Sequence, residues 1–404
     1  MNEPKQGVAP SPGRGLEQSP ARTGDRRAWS GPPCGELGVV IVTFNAADEI
    51  TACLESLAAA AVPGMRLVVV DNASTDDTVA VIRGWAEGTR PCALPDTLPF
   101  ALAPAPKPVA LTEIGPDLKV EREGHDGAAV TLIHAGVNGG FASGVNLGLA
   151  HLARDPCIGH FWVLNPDSMV PPGAVGALVA HLADAPRYAL MGGRVLYLTR
   201  PDRIQIDGGR LNRCTGVSGN LNLNRPHPQT PPPDPAQLDF ITGASMVASR
   251  AFYERAGPMA EEYFLYYEEV DWAMRRGDLP LAYCPGLVVY HRGGTAIGSP
   301  VWGRGRASEF SLYFKHRGRM RFLRRFSPWS LPLGLAYSFG QAGRMLWRRD
   351  PRGATTVLGA AMGLPMPAAV RARLSPEALA LAQGRARRRP AGAEQAASQE
   401  GPAA

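Results

Sequence analysis

Glu268, Glu269 and Asp271 fall within one short stretch, YFLYYEEVDWAMRR (263–276), directly behind an aromatic run. Carboxylates this close repel one another unless solvent, a cation or a proton relieves them. The same repulsion raises their pKa values and makes each a better proton acceptor. Within a working cluster Glu268 and Asp271 would orient the loop or pair with Arg275 and Arg276; the competing account is the acidic start of a solvated helix. Tyr266 and Tyr267 can stack on a ligand or limit water access, whereas Phe264 and Trp272 read as core.

Further polar groups stand at the ends of apolar runs. Thr43 and Asn45 come after Val39–Val42, Asp71 and Asn72 close VVVDN, and a Gly/Asn turn from Asn138 to Asn146 contains Gly139 and Gly140. Asn165 and Asp167 close FWVLNPD. In an open parallel sheet, ligands bind beyond the carboxyl ends of the strands, where these residues fall. Asp71 can accept hydrogen bonds from a base or ribose, or simply cap a helix; the glycines can admit a ligand close to the backbone, or only form a turn. Asp167 can anchor a divalent cation whose other ligands are diphosphate oxygens and water, or be another cap. His291, taken alone, is more often a buried or surface histidine than a ligand.

The elements that must position these groups are legible from periodicity. LGVVIVTFN and RLVVVDN suit strands buried on both faces, and each is followed by a helical pattern, the second with Thr75 or Asp76 as cap. Strand, helix, strand, helix indicates a right-handed parallel sheet. AVTLIHA and HFWVLNPD predict further strands with a helix LGLAHLA between them, and Pro171 and Pro172 open another helix. ALMGGRVLYL and RIQIDGGRLN suggest a short antiparallel extension. The Pro-rich residues 87–129 read as an irregular surface insertion.

The 404-residue chain has the apolar content of a folded protein, and its six cysteines are scattered without a C-x-x-C pair. That excludes a secreted disulfide scaffold and suits a reducing cytoplasm. The N-terminal residues lack an apolar core, so they read as a disordered extension and not as a signal peptide. The net charge of +6 is concentrated in Lys315, Arg317, Arg319, Arg321, Arg324 and Arg325, interleaved with Phe314, Met320 and Phe322. Such a run suits an anionic membrane surface or a solvated helix face, with nucleic acid well behind. Prolines and glycines interrupt FSPWSLPLGLAYSFGQAGRMLW, which favours an interfacial helix over a full span.

Seven pieces in order, VVIVTFNAADEITACLESL, VVVDNASTDDT, NGGFASGVNLGL, VLNPDSMVPPGAV, FITGASMVASRAFYERAG, YFLYYEEVDWAMRR and VVYHRGG, resemble the inverting, GT-A-type glycosyltransferases of family 2, in their bacterial rhamnosyltransferase-like and galactofuranosyltransferase-like branch. The resemblance implies an α/β fold of GT-A (Rossmann-like) type, a mixed, mostly parallel sheet flanked by helices with a helical C-terminal extension. It implies transfer, with inversion, of a hexose or rhamnose-like deoxyhexose from a dTDP- or UDP-sugar to a polysaccharide or lipid-linked glycan. By position, Thr43, Asn45, Asp71 and Asn72 would hold the nucleoside, and Asn138, Gly140, Asn146 and Asn165 would line the donor site. Asp167 and His291 would serve a Mg²⁺ or Mn²⁺ ion, and Glu269 would be the base, beside Glu268 and Asp271. The family's Asp-x-Asp is here Asn165-Pro166-Asp167, with one carboxylate only.

The organisation expected is a disordered extension over 1–36, a transferase domain over 37–300, a basic, partly apolar helical region over 301–366 in peripheral contact with the inner face of the membrane, and a largely disordered Ala/Arg-rich tail over 367–404. Two rivals remain. A catalytically silent nucleotide-sugar-binding module fits the reduced metal motif. A dinucleotide-dependent oxidoreductase shares the opening βαβ but would need a G-x-G-x-x-G after Val42, which is missing.

Overall fold

The computed structural model describes residues 36–122, 130–185, 187–293 and 306–384. The expected extension over 1–36, apart from Glu36, and the tail beyond 384 lie outside the described residues.

Uniform β-branched runs make the first two strands, β1 (Glu36–Thr43) and β2 (Arg66–Asp71), which pair in parallel from Gly38↔Arg66 to Thr43↔Asp71. Alternation then divides their side chains between two faces. Val39, Ile41, Leu67 and Val69 face α1 (Ile50–Ala60) and α2 (Thr78–Glu87). Val40, Val42, Val68 and Val70 face the helix after β5 (Val130–His134), namely α3 (Phe141–Leu152). Gly144 and Gly148 allow that approach: a Cβ on either would sit within 2.5 Å of Val42 or Val40.

The insertion at 87–129 is only partly irregular. It contributes β3 (Leu111–Ile114), parallel to β5, and the short β4 (Val120–Arg122). The reason is a buried carboxylate that no run of apolar residues announces. Glu113, 2% exposed, accepts from Arg83 at 2.7 and 2.9 Å and meets His134 at 2.7 Å. Burial opposes its ionisation, but Arg83 and His134 outweigh it and hold the carboxyl down at about 2.

Beyond α3 come β6 (Ile158–Leu164), β7 (Ser168–Met169), α4 (Ala174–Ala183), β8 (Leu190–Tyr197), β9 (Arg200–Ile206), β10 (Gly209–Asn212) and β11 (Val217–Asn220). The domain continues through β12 (Ser245–Ser249), α5 (Arg250–Ala256), α6 (Glu268–Met274) and β13 (Ala282–His291). The strands run in the order β4-β3-β5-β2-β1-β6-β12-β8-β13-β7, with β9 on β8. This is the mixed, mostly parallel sheet flanked by helices of the GT-A expectation. Three local expectations change. Helix α3 begins at Phe141, inside the expected turn, because Asn138 Oδ1 accepts the Gly140 N–H at 3.0 Å and closes the chain into the first turn. Gly173 in a left-handed conformation, and not the proline pair, precedes α4. Strand β8 is no extension: it lies inside the sheet, parallel to β13 and antiparallel to β12.

The C-terminal extension is helical: α7 (Glu309–Phe326), α8 (Leu331–Trp347), α9 (Pro351–Met362), α10 (Ala368–Arg371) and α11 (Pro376–Ala382). The basic run is divided: Lys315, Arg324 and Arg325 are exposed, and Arg317 and Arg321 are half-buried. Phe314, Met320, Phe322 and Leu323 turn inward, and Arg319 goes with them at 3% exposure. Arg325 pairs with Asp271 at 3.0 Å and Glu262 at 3.4 Å. No helix among the described residues is long and apolar enough to cross a membrane.

Candidate active site

Two cavities open beyond the carboxyl ends of the strands and meet at Asn165, Phe141 and Leu265. The first, of about 780 Å³, is walled by the loops after β1, β2, β5 and β6 and by the segment between α10 and α11. Asn45, with a positive φ of 52°, ties two of these loops together: its Oδ1 accepts the Thr75 N–H at 2.8 Å and its backbone N–H meets Ser74 Oγ at 3.0 Å. Thr75 is thereby spent on Asn45, and Asp76 takes the start of α2, its Oδ1 accepting the Thr78 N–H at 3.0 Å. Asn72 donates to Asn138 Oδ1 at 3.1 Å and to the Gly140 carbonyl at 2.9 Å. All four of Asn45, Asn72, Asn138 and Gly140 line this cleft.

Thr43 and Asp71 lie at the strand ends, buried just behind that lining; Asp71 Oδ1 and Thr43 Oγ1 have no partner among the described residues. Burial raises the Asp71 carboxyl, against the Ser74 N–H and hydroxyl. Asn146 is a correction. Its amide donates to the Met259 carbonyl at 3.0 Å and to Glu261 at 2.8 Å, which locks α3 to the loop before α6 and leaves nothing for a donor.

Between the cavities stands the Asn165-Pro166-Asp167 turn. His291, from the end of β13, lies 3.0 Å from Asp167 Oδ1 and 3.1 Å from Asn165 Nδ2 through Nε2, and its Nδ1 meets Gln205 Oε1 at 2.6 Å. Asp167 Oδ2 accepts the Gly293 N–H at 2.9 Å. Burial works against the Asp167 charge, but His291 and that N–H hold its carboxyl below the usual range. No group of three His, Cys, Asp or Glu side chains placed to hold a metal occurs among the described residues. An Asp–His pair facing a cleft still fits Mg²⁺ or Mn²⁺, because such ions keep much of their shell from substrate and water.

The second cavity, about 710 Å³, holds Glu268 and Glu269 at the start of α6. The chain reaches them through Phe264, Tyr266 and Tyr267, all at φ between 65° and 74°. Bulky residues adopt this left-handed region only when their surroundings impose it. Here the Phe264 carbonyl accepts the Phe141 N–H at 2.9 Å, Tyr266 meets Ser311 at 2.8 Å, and Tyr267 donates to the Gly216 carbonyl at 2.7 Å. Helices α3 and α7 and the β10–β11 hairpin thus clamp the turn.

Burial, and for Glu268 the adjacent Glu269 charge, push both carboxyls up, Glu269 to about 7 and Glu268 well above its usual range. Backbone N–H groups oppose the shift without cancelling it. Both are thereby better proton acceptors than a solvated glutamate. Asp271 does not belong with them. Fully buried, it accepts from Arg275 Nε at 2.8 Å and from Tyr263 at 3.0 Å and pairs with Arg325, so it fastens α6 to α7. Arg276 pairs with neither glutamate; it donates to the Ala273 carbonyl at 2.9 Å.

The match to known proteins decides the class. The family model described as glycosyl transferase family 2 matches residues 38–96, which carry β1 through α2 and the Asn45 and Asp71 loops. Over that segment the chain is similar to the family 2 glycosyltransferases. The transferase is 24% identical over 321 residues to the N-acetylglucosaminyl-diphospho-decaprenol L-rhamnosyltransferase of Mycobacterium tuberculosis, covering 74% of this chain and 87% of that one. It is also 24% identical over 194 residues to the low-salt glycan biosynthesis hexosyltransferase Agl10 of Haloferax volcanii, covering 46% and 58%. Among solved structures it is similar to the mannosyltransferase PcManGT of Pyrobaculum calidifontis, in complex with GDP-Man and Mn²⁺, at a TM-score of 0.44 and 15% identity over 83% of this chain and 90% of that one.

Several lining residues carry no signal in the sequence motifs. Gln205, Arg292, Lys315, His316, Arg373 and Glu377 all reach the cavities of the transferase. Gln205 falls in a strand without a motif, and Arg292, although inside VVYHRGG, follows the histidine that the motif singles out. Lys315 and His316 are hidden in the basic run, and Arg373 and Glu377 belong to a tail without a motif.

Proposed function

We propose that the transferase moves a hexose or deoxyhexose, rhamnose-like in class, from a dTDP- or UDP-sugar to a polysaccharide or lipid-linked glycan, with inversion. The observation that carries this reading is the junction of the two cavities: a cleft built of strand-end loops on one side, a carboxylate pair on the other, and Asn165 in both. The rhamnosyl and hexosyl activities named for the relatives favour the same donor class.

In this reading the nucleotide-sugar lies in the 780 Å³ cleft, over Asn45, Asn72, Asn138 and Gly140. Glu269, ionised, takes the proton of the acceptor hydroxyl as its oxygen bonds to the anomeric carbon from the face opposite the leaving group. The bond from that carbon to the donor's diphosphate oxygen breaks, and the nucleoside diphosphate leaves with the electron pair. Glu268 lines the same cavity wall, and its negative charge beside Glu269 makes Glu269 a stronger proton acceptor. Asp167 and His291 would hold a divalent cation, which supplies neutralisation of the departing diphosphate when bound.

Asp167→Ala is expected to weaken metal-dependent donor binding about tenfold or more, as loss of an anchoring charge does. Calorimetric titration with UDP- and dTDP-sugars, with and without Mn²⁺ or Mg²⁺, reads this directly. Equal affinity in both proteins with and without metal removes Asp167 from the site; metal-independent donor binding without turnover favours the silent module, and no donor binding at all ends both readings. The one observation on that module's side is that both Asp167 oxygens already have partners.

We read residues 37–300 as the catalytic unit and the helices after 300 as its membrane-side cover, with the contact moved from α7 to α8. Trp329, Leu333, Phe339, Leu346 and Trp347 are all exposed, at the spacing of one helix face. No acidic residue lies between Glu309 and Asp350, and Arg324, Arg344, Arg348 and Arg349 flank the stripe. Aromatic and aliphatic groups rimmed by cations suit the headgroup layer of an anionic bilayer. Flotation with phosphatidylglycerol vesicles should retain the wild type and lose most of a Trp329→Ser, Phe339→Ser, Trp347→Ser variant. Equal retention of both proteins ends this assignment.

A further inference from the structure

Gln205 enters the site through a bulge in the sheet. Strand β9 pairs with β8 through Val195↔Ile206 and Leu196↔Ile204, so consecutive residues of β8 face alternate residues of β9 and Gln205 is the extra one between them. Its neighbours Ile204 and Ile206 are buried, whereas Gln205 is half-buried and lines the cavity beside His291 and Gly293. Its backbone carbonyl accepts from Asn220 Nδ2 at 3.3 Å, which fastens the bulge to the β10–β11 hairpin. Bulges recur beside active sites, where the extra residue re-aims a side chain.

Here the side chain is aimed at His291, with Oε1 2.6 Å from Nδ1. Gly293, at φ 77°, makes room for the other end of the amide: a Cβ there would sit 2.6 Å from Gln205 Nε2. An amide oxygen accepts and cannot donate, so the hydrogen between the two side chains is carried on Nδ1. Nε2 is the nitrogen left to face Asp167 Oδ1 at 3.0 Å and Asn165 Nδ2 at 3.1 Å, at the junction of the two cavities. The Asn165-Pro166-Asp167 turn offers a cation one carboxylate only, so the direction of this nitrogen matters. With the hydrogen placed on Nε2 instead, the ring would have no lone pair to give there.

We propose that Gln205 is a positioning residue for the cation of the transferase: by accepting from Nδ1 it fixes the imidazole with Nε2 beside Asp167, and the β9 bulge delivers it there. A group of this kind orients a ligating histidine and raises its basicity. The proposal rests on the transferase reading's assignment of Asp167 and His291 to a divalent cation and adds to it a residue that acts through His291.

Titration of the full chain with Mn²⁺, alone and with saturating nucleotide-sugar, followed by the electron paramagnetic resonance of the free ion, tests it. Gln205→Leu, close in size but unable to accept a hydrogen bond, should bind Mn²⁺ about tenfold or more weakly than the wild type. Gln205→Glu, which can accept, should bind it within a few-fold of the wild type. A role confined to packing the bulge would not separate the two variants in this order. Wild-type affinity in Gln205→Leu together with loss of binding in Asp167→Ala would overturn the role of Gln205 and leave the cation site standing; binding by Gln205→Glu as weak as that by Gln205→Leu would do the same. Mn²⁺ binding that neither Asp167→Ala nor Gln205→Leu weakens, or no Mn²⁺ binding by the wild type, would remove the cation assignment itself and the proposal with it.

Discussion

Replacing Glu269 by Gln lowers turnover by about a thousandfold, the middle of the range for loss of a general base, while the donor binds as before. The amide keeps the shape and most of the hydrogen bonding of the carboxylate but cannot take the acceptor's proton. The pH profile carries the same information. Burial pushes Glu269 up to about 7, so activity should rise with pH through that value and fall below it as the base takes up a proton. Glu268 shares the cavity wall, and burial and the Glu269 charge push its carboxyl up as well. In Glu269→Gln the limb near 7 should vanish from what activity remains. Turnover within a few-fold of wild type, or an unchanged limb, would take the base role away from Glu269.

Gly140→Ala should cost about 3 kcal/mol of stability and most of the activity, although Gly140 touches no reacting atom. Its backbone sits at φ 86° and ψ 179°, a region open to glycine and closed to side chains. A Cβ there would lie 2.1 Å from the Phe264 carbonyl oxygen. That oxygen is held by the Phe141 N–H and begins the turn that presents Glu268 and Glu269, so relief of the clash displaces the base. Urea unfolding gives the stability and donor titration separates folding from catalysis. A loss under 1 kcal/mol with normal turnover would show that the turn can give way without moving the glutamates.

Much of the site was legible because strand ends carry it. The β-branched runs of β1 and β2 fix where the chain leaves the sheet, and the residues just beyond each strand must face the crevice. Asn45, Asn72, Asn138 and Asp167 could therefore be placed from local pattern alone. The acidic cluster was legible as a cluster but not as three roles. Glu268, Glu269 and Asp271 are equivalent in sequence; α6 then points Asp271 at Arg275, Arg325 and Tyr263 and leaves the two glutamates to the cavity. Asn146 misled for the same reason, since a polar residue in a Gly/Asn turn and one on a helix facing Met259 read alike.

By itself the sequence determined the order of strands and helices, the crevice loops and the kind of chemistry, because these derive from periodicity and residue type over short spans. Tertiary structure alone decided which carboxylate is free, how Tyr266 and Tyr267 are held in a left-handed turn, and that α7 carries Arg319 inward while α8 turns its aromatics outward. Those outcomes depend on groups far apart in the chain, such as Phe141 with Phe264 and Asp271 with Arg325. Burial and charge pairing are set when such groups meet, and a local pattern does not record that meeting.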